Sequence, residues 1–189
     1  MDERKGDWCQ TFTGRAVYPL DMRPEDVCLV DIAHALAMQC RFAGHCREFY
    51  SVAQHSLLVC DEVIALGGDE DEARWGLLHD ASEAYLVDLP APVKRSVSGY
   101  TDLEARAQAA IALHFGLVWP FPAVVNMADL VLLATEARDL MAPPPQAWRP
   151  MPPPRTEPIG TLSWLTAQML FLERCAELGL DRVERACGW

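Results

Sequence analysis

An adjacent histidine and aspartate, followed by two prolines, lie in the segment His79-Asp-Ala-Ser-Glu-Ala-Tyr-Leu-Val-Asp-Leu-Pro-Ala-Pro-Val-Lys94. Apolar residues recur at helical spacing from about residue 70, and the prolines after Asp88 cannot continue a helix. The pattern predicts one helix over residues 70–86, with His79 and Asp80 in its middle. Neighbours on a helix diverge by only about 100°, so both side chains can tilt onto one ion.

Further amphipathic helices are predicted on both sides of this segment. They cover residues 26–40, 51–66, 101–115, 122–141 and 161–178. Asp26 is expected near the N-cap of the first, and Ser51 with Gln54 and Thr101 with Glu104 are expected to form capping boxes. No alternating run is long enough to predict a sheet.

Eight of the fourteen prolines lie between residues 143 and 158. Too little chain follows for a second domain, so this part is predicted to be a surface excursion before the last helix. A chain of 189 residues, 51% of them hydrophobic, is the size of one domain with a sizeable core. We therefore expect an all-α, single-domain helical bundle.

The composition also limits the function. A formal net charge of −11 argues against binding a nucleic-acid polymer, which needs a basic face. No apolar run reaches the roughly 18 residues of a membrane span, and no signal-peptide pattern opens the chain, so a cytoplasmic protein is expected. Seven cysteines without a C-x-x-C pair suggest neither a disulfide framework nor a zinc ribbon.

The histidine and aspartate pair needs further ligands to hold an ion. His55 and Asp129 lie on separate predicted helices among apolar neighbours, and together they would complete a shell of two histidines and two carboxylates inside a bundle. Such a shell suits one divalent ion, and Mn, Co, Zn, Fe and Mg all stay open.

Two further acids follow the pair. Glu83 is expected on the same helix face as His79 and Asp80, one turn on, where a carboxylate can deprotonate a water molecule. Asp88, just past the helix end, is in reach of the same cleft and is a candidate to serve the leaving group.

These residues carry a resemblance. His55, then His79-Asp80, then Asp129 resembles the H…HD…D signature of the HD superfamily of metal-dependent phosphohydrolases. Ser51-Val-Ala-Gln-His-Ser56, residues 79–94 and Ala128-Asp-Leu130 are similar to segments of its bacterial 5′-deoxynucleotidase branch. The resemblance spans about residues 11–141, and residues 1–189 are treated as one HD-type domain.

The resemblance implies a site for deoxynucleotides. Glu83 and Asp88 would assist catalysis, and Arg41-Phe42 would contact the phosphate or sugar and stack on the base. Pro92 would also bind substrate, and Lys94 is the second cation expected to hold phosphate. Phage relatives of this branch are dATP triphosphohydrolases, so both a monophosphate and a triphosphate substrate stay open. A small-molecule substrate, no nucleic-acid or membrane partner, and a homo-oligomer are expected.

Alternatives remain at this stage. An HD enzyme for a cyclic dinucleotide or a guanosine alarmone, and a nucleotide sensor without turnover, would use a similar pocket. Asp139 is a rival to Asp129 as a ligand, although it is expected to pair with Arg138 instead. His45 could contact substrate or be structural, whereas His34 and His114 are expected to have no role as ligands.

Overall fold

A computed structural model describes residues 3–182 and shows a mostly helical chain. Short strands β1 (Cys9–Gln10) and β2 (Ala16–Val17) pair antiparallel before the helices. The helices are α1 (Leu29–Met38), α2 (Val52–Ala65), α3 (Glu70–Leu78), α4 (Glu83–Leu86), α5 (Ala91–Lys94), α6 (Tyr100–Phe115), α7 (Ala123–Asp139) and α8 (Trp164–Glu177). The prediction of an all-α bundle is confirmed.

Helix α2 is the centre of the bundle. It packs mainly against α3 and α7, while α1 packs against α8. Gly76 lets α3 come close, because a Cβ atom at this position would lie 2.9 Å from the Cα of Cys60 in α2. This close approach brings the C-terminal end of α3, and with it His79, up to the His55 side of α2.

The expectation of one continuous helix over residues 70–86 is wrong. Helix α3 ends at Leu78, and His79 and Asp80 lie in the turn that separates it from the single turn of α4. Gln108 from α6 explains the break, because its Nε2 donates to the carbonyl oxygens of Leu78 and His79. A side chain thus satisfies carbonyls that a continuing helix would have bonded.

Two of the expected helix starts also differ. Asp26 ends a short 3-10 turn and accepts hydrogen bonds from Arg4 and Arg23, so α1 begins after Cys28 instead. Helix α6 begins after Gly99, whose φ of +80° suits glycine, and Thr101 lies inside the helix. The N-cap at Ser51 is confirmed, since its hydroxyl accepts from the amide of Gln54, but the expected capping box is not formed, because the Gln54 side chain bonds to the backbone of Gly160 and Leu162 instead.

Residues 143–158 form the expected surface excursion without helix or strand. Two contacts hold its end against α7: Thr135 Oγ1 accepts from the amide of Arg155 at 2.9 Å, and Arg138 donates to the carbonyl of Arg155. Near its start, Trp148 packs edge-on to Phe42 with ring centroids 6.4 Å apart. The excursion therefore closes over the loop that follows α1.

The sequence predicts neither a membrane-spanning helix nor a disulfide framework. Within residues 3–182, no helix is long and apolar enough to cross a membrane. No disulfide joins two of the six described cysteines, and Cys187 lies outside the described residues.

Candidate metal centre

Three of the four predicted ligands meet where α2 packs against the turn after α3, and the fourth, Asp129 of α7, lies beside His55. The Nε2 atoms of His55 and His79 are 3.2 Å apart. Asp80 Oδ2 lies 3.2 Å from the Nε2 of His79 and 3.7 Å from that of His55. Asp129 Oδ1, from α7, lies 3.3 Å from the His55 Nε2. His55, His79 and Asp80 form a group that could hold a metal ion.

The proton positions on both rings favour a cation between them. His55 Nδ1 is 2.6 Å from a Glu136 carboxylate oxygen, and His79 Nδ1 is 2.8 Å from the carbonyl oxygen of Gly76. Neither acceptor has a proton to give, so each Nδ1 is the donor and each Nε2 faces the centre.

The spacing of the ligand atoms fits an ion as well. Atoms bound about 2.0–2.2 Å from a tetrahedral ion are about 3.3–3.6 Å from one another, which is close to the separations among His55, His79 and Asp80 and to that between His55 and Asp129. Two facing Nε2 atoms beside two carboxylates are stable only with a positive charge among them, which either a proton on His55 or a metal ion supplies. The donor set therefore fits a divalent cation, and its identity stays open.

Glu136 is a residue of this site that the sequence did not predict. It is fully buried, and its Oε1 accepts from His55 Nδ1 and, at 2.9 Å, from the hydroxyl of Tyr50. Its Oε2 accepts from Arg41 Nε and Nη2 at 3.2 and 3.0 Å. A carboxylate that holds a ligating histidine fixes the orientation of the ring and makes it a better ligand. The signal in the sequence was its spacing, since residue 136 lies two helical turns after Asp129.

The charges around this carboxylate determine its protonation. Burial alone would raise the pKa of Glu136, but Arg41 and His55 outweigh burial and lower it. Burial would lower the pKa of His55, but the Glu136 and Asp129 carboxylates raise it to about 9. The pKa of Asp80 is lowered in spite of burial, chiefly by His79. The cluster thus attracts positive charge, as a metal centre requires.

The Arg41 guanidinium bonds to Glu136 and also lies close to the ligand Asp80. Its Nη1 lies 3.6 Å from Asp80 Oδ2, and its guanidinium carbon lies 5.4 Å from the centroid of the Phe42 ring. Phe42 and Ala43 have φ values of +54° and +52°, a backbone conformation that residues other than glycine rarely adopt. The expected Arg41-Phe42 pair therefore lies beside the ligands, and Trp148 extends its aromatic surface.

Glu83 and Asp88 lie close enough to Asp80 for its charge to act on both. Glu83 is 4% exposed, and its Oε2 is buried without a hydrogen-bond partner. Burial raises the pKa of Glu83 well above its usual value, and the charges of Asp80 and Asp88 add to this effect. The pKa of half-buried Asp88 is also raised, chiefly by burial. Two carboxyl groups next to the ligands are thus more basic than ordinary carboxyl groups.

A cleft of about 290 Å³ opens beside the ligands, lined by His79, Asp80, Asp129 and Lys94 and by residues of α6 and α7. Lys94 is paired with Glu104, at 2.6 Å, and its Nζ lies 3.7 Å from Glu83 Oε1. Pro92 is exposed on α5 and is not among the residues that line this cleft. The structure brings Lys94 to the centre but leaves Pro92 at the surface.

The remaining candidates lie elsewhere. Asp139 pairs with Arg138, as predicted, and accepts from the amide of Ile159. His45 is exposed in the loop after Arg41. His34 stacks on Phe12 and is bonded to Gln168, while His114 lies 2.8 Å from the carbonyl of Pro24.

Two proteins are similar to this chain over most of its length. It is 42% identical over 131 residues to "Uncharacterized protein YfdR" of Escherichia coli, an alignment that covers 69% of this chain and 71% of that protein. It is 39% identical over 146 residues to "Uncharacterized protein RCAP_rcc00048" of Rhodobacter capsulatus, covering 72% and 74%. No protein-family model matches the chain.

Proposed function

The chain belongs to the same family as YfdR of Escherichia coli, and we propose that it is a metal-dependent phosphohydrolase that cleaves the 5′-phosphoester of deoxynucleotides. The observation that carries the proposal is Glu83, a buried carboxyl group with an unpartnered oxygen beside a cluster that fits a cation. A binding site has no need of such a group, whereas hydrolysis needs a base at this position.

The ion would be held by His55, His79, Asp80 and Asp129. When bound, it would polarise a phosphoryl oxygen and lower the pKa of water nearby. Arg41 Nη1, which faces Asp80, is placed to bind a second phosphoryl oxygen while Glu136 keeps the guanidinium in position. These positive charges would offset the carboxylates around the centre in a chain whose formal net charge is −11.

Glu83 and Asp88 would take the two proton-transfer roles. A cation held by the four ligands would favour the ionised form of Glu83. As water attacks the α-phosphorus, its proton passes to the Glu83 carboxylate, the new P–O bond forms, and the bond to the 5′-oxygen breaks. Asp88, whose pKa is raised, would give its proton to the departing 5′-oxygen. The bond broken is the same for a monophosphate and a triphosphate, which would release phosphate and tripolyphosphate respectively.

A panel of nucleotides tests this proposal. The four deoxynucleoside monophosphates and the four triphosphates are incubated separately with Mn, Co, Zn, Fe or Mg, and the products are separated by chromatography. We expect a deoxynucleoside with phosphate or tripolyphosphate from the parent chain, and at most a trace from the Glu83→Gln variant. Absence of product from every combination would overturn the proposal. Thermal stabilisation by nucleotides without product would favour the sensor, and turnover of only cyclic dinucleotides or alarmones would favour the other HD chemistry.

A further inference from the structure

Gln39, the residue after α1 and one before Cys40, bonds to both proposed catalytic segments. Its side-chain Nε2 donates to the carbonyl oxygen of Glu83 at 3.0 Å, and its Oε1 accepts from the amide of Asp88 at 3.0 Å. The two bonds use both ends of one amide group. Gln39 therefore spans the segment between the two carboxyl groups, from residue 83 to residue 88.

The same residue is tied to the helix that carries His55. The backbone oxygen of Gln39 accepts from the amide of Val52, the first residue of α2, at 3.1 Å. Its own amide and its Nε2 both bond to the carbonyl of Ala35 in α1. Gln39 thus connects the carboxyl segment to the start of α2, one turn before the metal ligand.

The backbone between the two acids is strained. Val87 has φ of +70° and ψ of 148°, a region that is almost confined to glycine and is least suited to a β-branched residue. Such a conformation persists only where the surroundings hold it. Tyr100 contributes, because its hydroxyl lies 2.8 Å from the Val87 carbonyl oxygen and 3.0 Å from that of Leu86.

We infer that Gln39 is a positioning residue, which with Tyr100 holds the strained turn at Val87 so that Glu83 and Asp88 both face the metal centre. The inference rests on the proposed function, because it assigns a purpose to the spacing of the two proposed catalytic groups. Without the amide, the reversal at Val87 can relax and carry Asp88 away, while the four metal ligands keep their own contacts.

The Gln39→Met variant tests this inference, because methionine keeps the length of the side chain but forms neither hydrogen bond. We expect kcat to fall about 10- to 100-fold, with KM and metal affinity within about twofold of the parent values, since a displacement of about 1 Å costs this much in rate. Hydrogen exchange of the Asp88 amide, which needs no substrate, should become faster.

Gln168→Met is the matched control. Gln168 is also half-buried and also bonds to a side chain of α1, with its Oε1 3.1 Å from His34 Nδ1, but it lies away from the metal centre. Its kcat and the exchange rate of its Asp88 amide should stay at parent values. A Gln39→Met protein with parent-like kcat or parent-like Asp88 exchange would overturn the inference.

A milder variant covers the case in which Gln39→Met does not fold. Tyr100→Phe removes one hydroxyl group, and we expect it to lower kcat and speed Asp88 exchange in the same direction by smaller factors. Unchanged kcat and exchange in this variant would overturn the inference. If the parent chain cleaves no deoxynucleotide, the proposed function fails. Hydrogen exchange of the Asp88 amide in the Gln39→Met variant still shows whether Gln39 holds the segment between Glu83 and Asp88.

Discussion

Two buried glutamates flank the candidate metal centre, and their surroundings are opposite. Glu136 is 0% exposed and accepts hydrogen bonds from Tyr50, His55 and Arg41, whereas Glu83 is 4% exposed and keeps one oxygen without a partner. The pKa of Glu136 is lowered and that of Glu83 is raised. Burial is nearly equal, so the partners account for the difference.

This contrast indicates different roles for the two glutamates: Glu136 would position a metal ligand, and Glu83 would take part in proton transfer. A satisfied carboxylate holds a ligand in one orientation, while an unsatisfied one costs stability and can still take up a proton. We expect changes at Glu136 to act on metal affinity and folding, and changes at Glu83 to act on turnover.

The largest effect on turnover, with metal binding unchanged, is expected from Glu83→Gln. The amide keeps the size of the side chain but cannot take up a proton, so kcat should fall by about 10²- to 10⁴-fold. Metal affinity, measured by titration calorimetry, should stay near the parent value, and the thermal midpoint should not fall. A variant that keeps full activity would remove Glu83 from the role of base.

Glu136→Gln should have the converse effect. Losing the charge that faces His55 and Arg41 should lower metal affinity by about 10- to 100-fold. It should also lower the free energy of unfolding by about 3 kcal/mol, because Arg41 is left buried without its partner. Calorimetric metal titration and chemical denaturation measure the two effects. A protein that binds metal as the parent does would show that Glu136 is only structural.

Trp148→Ala extends the comparison to the substrate side. If Phe42 and Trp148 form one aromatic surface for the base, KM for a deoxynucleotide should rise by about fivefold, the lower end of what stacking contributes. Trp164→Ala is the matched control, since Trp148 and Trp164 are 39% and 41% exposed. Steady-state kinetics of both variants give the answer, and an equal rise in the control would argue against a specific role.

The smallest effect is expected at Asp139, which lies on α7 near Glu136 but pairs with Arg138. Asp139→Asn removes a partly exposed ion pair, so the free energy of unfolding should change by at most about 1 kcal/mol. Metal affinity should not change. A loss of metal binding would instead support Asp139 as a ligand in place of Asp129.

The same contrast shows what the sequence could predict. Helical periodicity gave most helices, because each apolar face is a local pattern. The break before His79 could not be read from residues 70–86, since Gln108, about thirty residues later, satisfies the carbonyls there. Helix α6 has Gly99 as its N-cap, in the left-handed conformation, and not Thr101 as predicted.

The predicted ligands were residues whose chemistry is visible in their type, such as His55 and Asp129. Glu136 was not, because its spacing of two helical turns from Asp129 is common on helices and does not show that the side chain will be buried against a histidine and an arginine. Gln39 gave no sign either, since its two partners are 44 and 49 residues away. Positioning groups depend on tertiary contacts, and their residue types are common at protein surfaces.

The central claim is that water attacks phosphorus at this centre with Glu83 as base. The most direct measurement is hydrolysis of the best substrate of the panel in water enriched in ¹⁸O, with mass spectrometry of both products. The account predicts one ¹⁸O atom in the released phosphate or tripolyphosphate, none in the deoxynucleoside, and no labelled product from Glu83→Gln. Label in the 5′-hydroxyl of the deoxynucleoside, or equal labelling by the variant, would contradict it.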